Sequence, residues 1–177
     1  MGASNLLKAD PGAMHRSSPT LLIIVAAAVV GLDQALKLFV SSRLHLFEFI
    51  VIVPGLFNLT YIRNPGAAFG LLGNIDPTVA FAVFGGATVV AVVALAYLYF
   101  ATSPRMACTR WGIALVLGGA VGNLIDRLRF REVIDFIDIY SGSYHWPSFN
   151  LADSAITIGV VFILFETLVR RPPAEEG

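Results

Sequence analysis

Two aspartates lie eighteen positions apart in a chain that otherwise avoids charge. Asp135 sits in Val133-Ile134-Asp135-Phe136-Ile137, and Asp153 sits in Phe149-Asn150-Leu151-Ala152-Asp153-Ser154, just before a long apolar run. A carboxylate beside a membrane span is costly, so each is a functional-site candidate by default. Brought together, two such groups can share one proton and activate a water against an amide, the chemistry of an aspartic protease. Asp138 competes with Asp135, because its flanks Ile137 and Ile139 are equally apolar and local chemistry does not separate the two. Asp153 also reads as the N-cap or first-turn acid of a helix. Asn150 can take that capping role instead and leave Asp153 free.

Other polar residues invite structural readings. Asp33 and Lys37 are spaced i, i+4 and face the same way on a helix, which suits an ion pair at the end of a span. A Ser–Lys protease built from Lys37 and a serine such as Ser154 is disfavoured, since an acidic neighbour keeps the lysine protonated. Asn64-Pro65-Gly66-Ala67-Ala68-Phe69-Gly70 reads as a re-entry turn, or as backbone that approaches a substrate while the Asn64 amide holds a peptide group. In Gly118-Gly119-Ala120-Val121-Gly122-Asn123-Leu124-Ile125-Asp126-Arg127 the small residues allow a second helix to pack close. Asp126 beside Arg127 reads as a charge cluster that locks a loop, which suits a scaffold better than a proton-sharing pair.

The elements that must position these groups are membrane helices. Of the 177 residues, 56% are hydrophobic and only 14% charged, with mean hydropathy +0.76. A soluble domain carries about a quarter charged residues, so this composition is that of an integral membrane protein. The net charge is zero, and nothing suggests nucleic-acid binding. Cys108 is the single cysteine, which rules out an internal disulfide and any zinc–cysteine site, and no HExxH accompanies the three dispersed histidines.

Four apolar segments stand out, at about 21–40, 79–100, 111–125 and 151–169. The first is expected to be retained rather than cleaved as a signal peptide, because Asp33, Gln34 and Lys37 continue the same helical stretch. Residues 1–18 read as a disordered N-terminal tail, 19–170 as one four-helix transmembrane domain and 171–177 as a C-terminal tail. Four spans put both termini on one side and the loops 41–78 and 126–150 on the other. Basic residues outside the spans number six on the terminal side and five on the opposite side, a slight preference for cytoplasmic termini. Within 43–63, the run of Phe47, Phe49, Val51, Val53 and Phe57 around Pro54-Gly55 suggests short strands on the membrane surface, or an interfacial loop with aromatic anchors.

Five blocks in this order give the chain a specific resemblance: Asp33-Gln34 with Lys37; Asn64 to Phe69; Gly122-Asn123-Leu124-Ile125-Asp126-Arg127; Val133-Ile134-Asp135-Phe136; and Phe149 to Ser154. Together, over about Leu32 to Ile158, they resemble the lipoprotein signal peptidases, or signal peptidase II. One departure is Pro65, where other members often carry a small polar residue. The resemblance implies an all-α membrane protein of four transmembrane helices with a small β-rich extracytoplasmic subdomain. It implies a multi-pass protein of the bacterial cytoplasmic (inner) membrane, with its active site near the extracytoplasmic face.

The implied activity is an aspartyl endopeptidase that removes the signal peptide from diacylglyceryl-modified prolipoproteins, cutting before the lipidated cysteine. The implied catalytic pair is Asp135 and Asp153. Asn64, Gly66, Asn123, Arg127 and Asn150 match positions that line the site or hold substrate, and Asp33, Lys37 and Asp126 match polar positions that support it. No metal or cofactor is implied. The partners are prolipoprotein signal peptides and membrane lipid, with no nucleic acid, and a monomer is expected. A proton relay would spread its acids through the membrane depth, whereas these cluster at one edge; a membrane chaperone would not need paired acids.

Overall fold

The computed structural model describes residues 18–66 and 76–169. The expected tails, apart from Ser18, and residues 67–70 of the segment expected to approach a substrate lie outside the described residues. The elements run α1 (Thr20–Arg43), β1 (Phe49–Val53), β2 (Phe57–Asn64), α2 (Pro77–Ala101), α3 (Ala107–Phe130), β3 (Val133–Ser141), β4 (Tyr144–His145) and α4 (Leu151–Val169). Among the described residues, four helices are long and apolar enough to cross a membrane. At 1.5 Å per residue, a span of about 24 residues reaches roughly 36 Å, enough for the hydrocarbon core.

The third helix is longer than the sequence suggests. Its apolar run ends near Ile125, but the helix continues to Phe130 and stops at Arg131, which caps it in the left-handed region (φ 61°). The residues that seemed to end it, Asn123, Asp126 and Arg127, find polar partners inside the bundle. Asp126 and Arg127, expected at the start of the loop, therefore sit on helix.

This helix is also the central one, packing against α1, α2 and α4. Its glycines let the backbones meet. A Cβ at Gly112 would lie 2.5 Å from the Gly159 carbonyl oxygen, and a Cβ at Gly159 would lie equally close to that of Gly112. One turn from the site, a Cβ at Gly119 would collide with the Ala152 carbonyl oxygen and come within 2.8 Å of Ile156 Cγ1. Packing of this kind replaces the hydrophobic drive that is missing between helices in lipid.

The expected β-rich segment is present as β1 and β2, joined by a turn in which Gly55 takes φ 79°. The sheet is larger than that segment. The second loop supplies β3 and β4, and the antiparallel order is β1-β2-β3-β4. The aspartates at 135 and 138 interrupt the apolar alternation that would have marked β3 as a strand. Tyr61 of β2 and Ile134 and Phe136 of β3 pack on Val40 and Leu44, so the sheet is welded to the end of α1. A second cluster, Leu22, Val25, Tyr99, Ile113 and Ala114, closes the interior of the bundle.

Gly119→Ala should therefore destabilise the protein by about 1–3 kcal/mol, the usual cost of overpacking. Gly86→Ala should not, because nothing lies within 4 Å of the added methyl. Melting temperatures of the two detergent-solubilised variants make the comparison. An unchanged Gly119→Ala protein would mean that the α3–α4 contact is looser than described.

Candidate active site

Strand β3 carries Asp135, and its register to β2 places Asp135 opposite Ile62 and Val133 opposite Asn64. The Asn64 side chain reaches Asp135, donating from Nδ2 to Oδ2 at 3.0 Å. Farther along the same strand, Phe149 pairs with Ile137 through its N–H and its carbonyl. That pairing delivers Asn150 to Asp135, where Nδ2 donates to Oδ1 at 2.8 Å.

Asn150 is also the residue before α4. Its Oδ1 accepts from the Asp153 N–H at 2.9 Å, and its own N–H donates to Asp153 Oδ2 at 3.3 Å, a reciprocal capping arrangement. Asn150 thus takes the capping role, as the sequence allowed. Asp153 still answers it through the long return bond, and Oδ1 accepts from Asn123 Nδ2 at 2.8 Å. A single asparagine therefore touches both carboxyls.

Burial dominates at Asp135 and pushes its pKa up to about 7. The nearby Asp153 charge adds to the rise, while the Asn64 and Asn150 bonds and the Lys37 charge oppose it. Two neighbouring carboxyls held by neutral amide donors can accommodate one proton between them. Asp138 lies elsewhere. It is three residues from Asp135, hence on the other face of the strand, and it accepts from Asn58 Nδ2 at 2.8 Å and pairs with His145 Nδ1 at 2.9 Å. That set of contacts joins β2, β3 and β4.

Behind the pair, Lys37 is almost completely buried. Its ammonium is 2.7 Å from Asp33 Oδ2 and 2.8 Å from Asp126 Oδ2, and it donates to Asn123 Oδ1 at 3.0 Å. The expected Asp33–Lys37 pair is present. The expectation for Asp126 needs correction: its ionic partner is Lys37, not Arg127. The two neighbours in sequence diverge because adjacent helical residues point about 100° apart. Arg127 reaches the Asn123 carbonyl at 3.4 Å and lies in the field of Asp153, Asp126 and Asp135.

Gly66 has φ 107°, and a Cβ there would lie 2.5 Å from the Phe84 ring. Its N–H donates to Asn64 Oδ1 at 2.9 Å, which turns the Asn64 amide nitrogen toward Asp135. All ten residues marked as site candidates by the sequence thus gather at one end of the bundle. Gln34 belongs with them, donating from Nε2 to Asp126 Oδ1 at 2.9 Å; the sequence placed it in the Asp33-Gln34 block without giving it a role.

The sequence reading did not pick out the cavity wall. A 540 Å³ cavity is lined by Asn64 and Asp153 together with Trp146, Phe149, Thr157 and Ile158. The signal in α4 was its spacing, since Thr157 and Ile158 recur one turn after Asp153. Among the described residues, no group of three or more His, Cys, Asp and Glu side chains is placed to hold a metal ion.

Fold and site together define a multi-pass membrane protein whose two neighbouring carboxyls are held by amides at one end of the bundle. Comparison with known proteins gives the family. Residues 25–169 match the signal peptidase (SPase) II family. A lipoprotein signal peptidase of Syntrophotalea carbinolica is 48% identical over 144 residues, covering 81% of this chain and 88% of the relative. One from Desulforapulum autotrophicum is 43% identical over 160 residues, covering 90% and 99%. A solved bacterial membrane enzyme superposes with TM-score 0.77 at 33% identity, covering 89% of this chain and 93% of that one. The chain belongs to the signal peptidase II family and is a membrane peptidase, a hydrolase.

The raised pKa of Asp135 has a consequence for stability. The folded state holds this proton more tightly than the unfolded chain, whose carboxyl has pKa 3.8. The contribution is therefore complete below about pH 4 and is lost as pH rises through about 7, by at most about 4 kcal/mol. Melting temperature should fall between pH 5 and pH 8, and Asp135→Asn should flatten part of that fall. Parallel curves for the two proteins would refute the assignment.

Proposed function

We propose that Asp135 and Asp153 are the catalytic pair of an aspartyl endopeptidase that removes signal peptides from diacylglyceryl-modified prolipoproteins, cutting before the lipidated cysteine. The observation that carries the reading is Asn150, which donates to Asp135 and caps against Asp153, tying the two carboxyls into one unit. In the reaction, one carboxylate takes a proton from water as its oxygen attacks the scissile carbonyl carbon. The other, protonated, gives its proton to the carbonyl oxygen. The first acid then gives its proton to the amide nitrogen. The C–N bond breaks as the carbonyl re-forms and a hydroxyl proton of the intermediate returns to the second carboxylate, which releases the signal peptide. In this reading Asn64, Gly66, Asn123, Arg127 and Asn150 line the site or hold substrate, and the amides of Asn64, Asn123 and Asn150 also hold the acids.

The cavity at Asp153 suits a lipid-anchored substrate, because its wall includes Ile158, which is half exposed on the outer surface of α4. The lipidated end of the peptide reaches the site from the bilayer in this reading. Each buried methylene is worth about 0.8 kcal/mol, and transfer from lipid rather than water reduces that gain. The site faces the extracytoplasmic side of the bacterial inner membrane, and the protein acts as a monomer.

The test is cleavage of a lipidated prolipoprotein peptide by the purified protein. Asp135→Asn and Asp153→Asn should each lower the rate by about 10²–10⁴-fold, the range of general acid–base catalysis. The double variant should be little slower than either single one, since the pair acts as a unit. Asp138→Asn should be mild. Near-normal turnover by either Asp135→Asn or Asp153→Asn would sink the pair, and equal rates on lipidated and unlipidated peptides would remove the lipid from recognition.

The orientation has its own test in Cys108, a partly exposed residue at the start of α3. A membrane-impermeant thiol reagent added outside spheroplasts should leave Cys108 unlabelled, and should label it once the membrane is opened. Labelling from outside would invert the topology.

A further inference from the structure

We propose that Lys37 is a positioning residue that sets both the placement of Asp135 and Asp153 and the direction of the Asn123 amide donor that faces Asp153. The inference rests on the reading of that pair as catalytic. Lys37 itself contacts neither aspartate in its hydrogen bonds, but each of its acidic partners holds the backbone beside one of them. Asp33 Oδ1 accepts from the Ala152 N–H at 3.0 Å, one residue before Asp153. Asp126 Oδ2 accepts from the Ile134 N–H at 3.1 Å, one residue before Asp135. A single ammonium therefore ties α1 to the first turn of α4 and to the start of β3.

The third contact of Lys37 fixes a side chain. An ammonium donates and cannot accept, so the oxygen of the Asn123 amide must face Lys37. The same oxygen accepts from Asn150 Nδ2 at 3.2 Å. The nitrogen of Asn123 is left to donate to Asp153. Reversing that amide would set two donors against each other at Lys37 and an oxygen against the Asp153 carboxylate. The charge on Lys37 thus decides that Asp153 meets a donor.

A structural ion cluster and a positioning device respond differently to substitution. In Lys37→Gln, kcat on the lipidated peptide should fall about tenfold or more while KM stays within about threefold. The acidic limb of the kcat profile should move to higher pH, because the ionised aspartate loses a facing donor and a nearby positive charge, with Arg127 left as the neighbouring cation. Lys37→Gln should slow Asn123→Ala by less than it slows the wild type, because the route through Asn123 is already lost. Asn123→Asp keeps the lysine and its two acidic partners, removes the donor toward Asp153 and adds a negative charge beside it. It should move the acidic limb the same way, and it serves if Lys37→Gln does not fold.

An unmoved pH profile in a folded Lys37→Gln or Asn123→Asp protein would overturn the proposal. So would independent, multiplicative losses in the double variant. Failure of the wild-type protein to cleave the peptide at all would instead overturn the catalytic reading beneath it, and the proposal with it.

Discussion

The structure is organised around one buried lysine. An ammonium removed from water is costly, and the cost is offset only if it is well paired and hydrogen-bonded. Lys37 meets that condition with Asp33 from its own helix and Asp126 and Asn123 from α3. The acids use their remaining lone pairs on backbone amides of α4 and β3. The cluster therefore cannot form unless three helices and a strand arrive together. Its stability and the placement of the two carboxyls are the same constraint seen from two sides.

The contact between α3 and α4 supplies the second constraint. Glycine at 112, 119 and 159 lets the two helix backbones approach until a single methyl would not fit. That closeness brings Asn123 within reach of Asp153 and Asn150. A wider spacing would leave the amide unable to bridge. Small residues deep in the bundle thus set distances between polar groups at its edge.

The amides around the two carboxyls share a design. Asn64 has its oxygen occupied by the Gly66 N–H, Asn150 by the Asp153 N–H and Asn123 by Lys37. None of those donors can accept, so each amide nitrogen is forced toward a carboxyl. Neutral donors stabilise a negative charge without adding a cation, which would hold both acids ionised. A pair meant to keep one proton near neutral pH needs this balance between burial, mutual repulsion and uncharged donors.

Much of this was legible in the sequence, and the reasons are particular. Four apolar runs in a chain poor in charge dictate membrane helices, and the i, i+4 spacing of Asp33 and Lys37 dictates a shared helical face. The polar residues stood out because a membrane environment tolerates few of them. The sequence did not separate Asp135 from Asp138 by local chemistry, since both sit between isoleucine-rich neighbours. Tertiary structure did so through strand parity: residues three apart point to opposite faces, one toward α4 and Asn150, the other toward Asn58 and His145. Nor did adjacency reveal the partner of Asp126, because a helix turns neighbours apart and brings in Lys37 from 89 positions away. The full extent of α3, the strand β3 and the Trp146–Phe149 wall were decided likewise by long-range pairing. Periodicity and composition report what a residue prefers; which group it finally faces depends on elements far away in the chain.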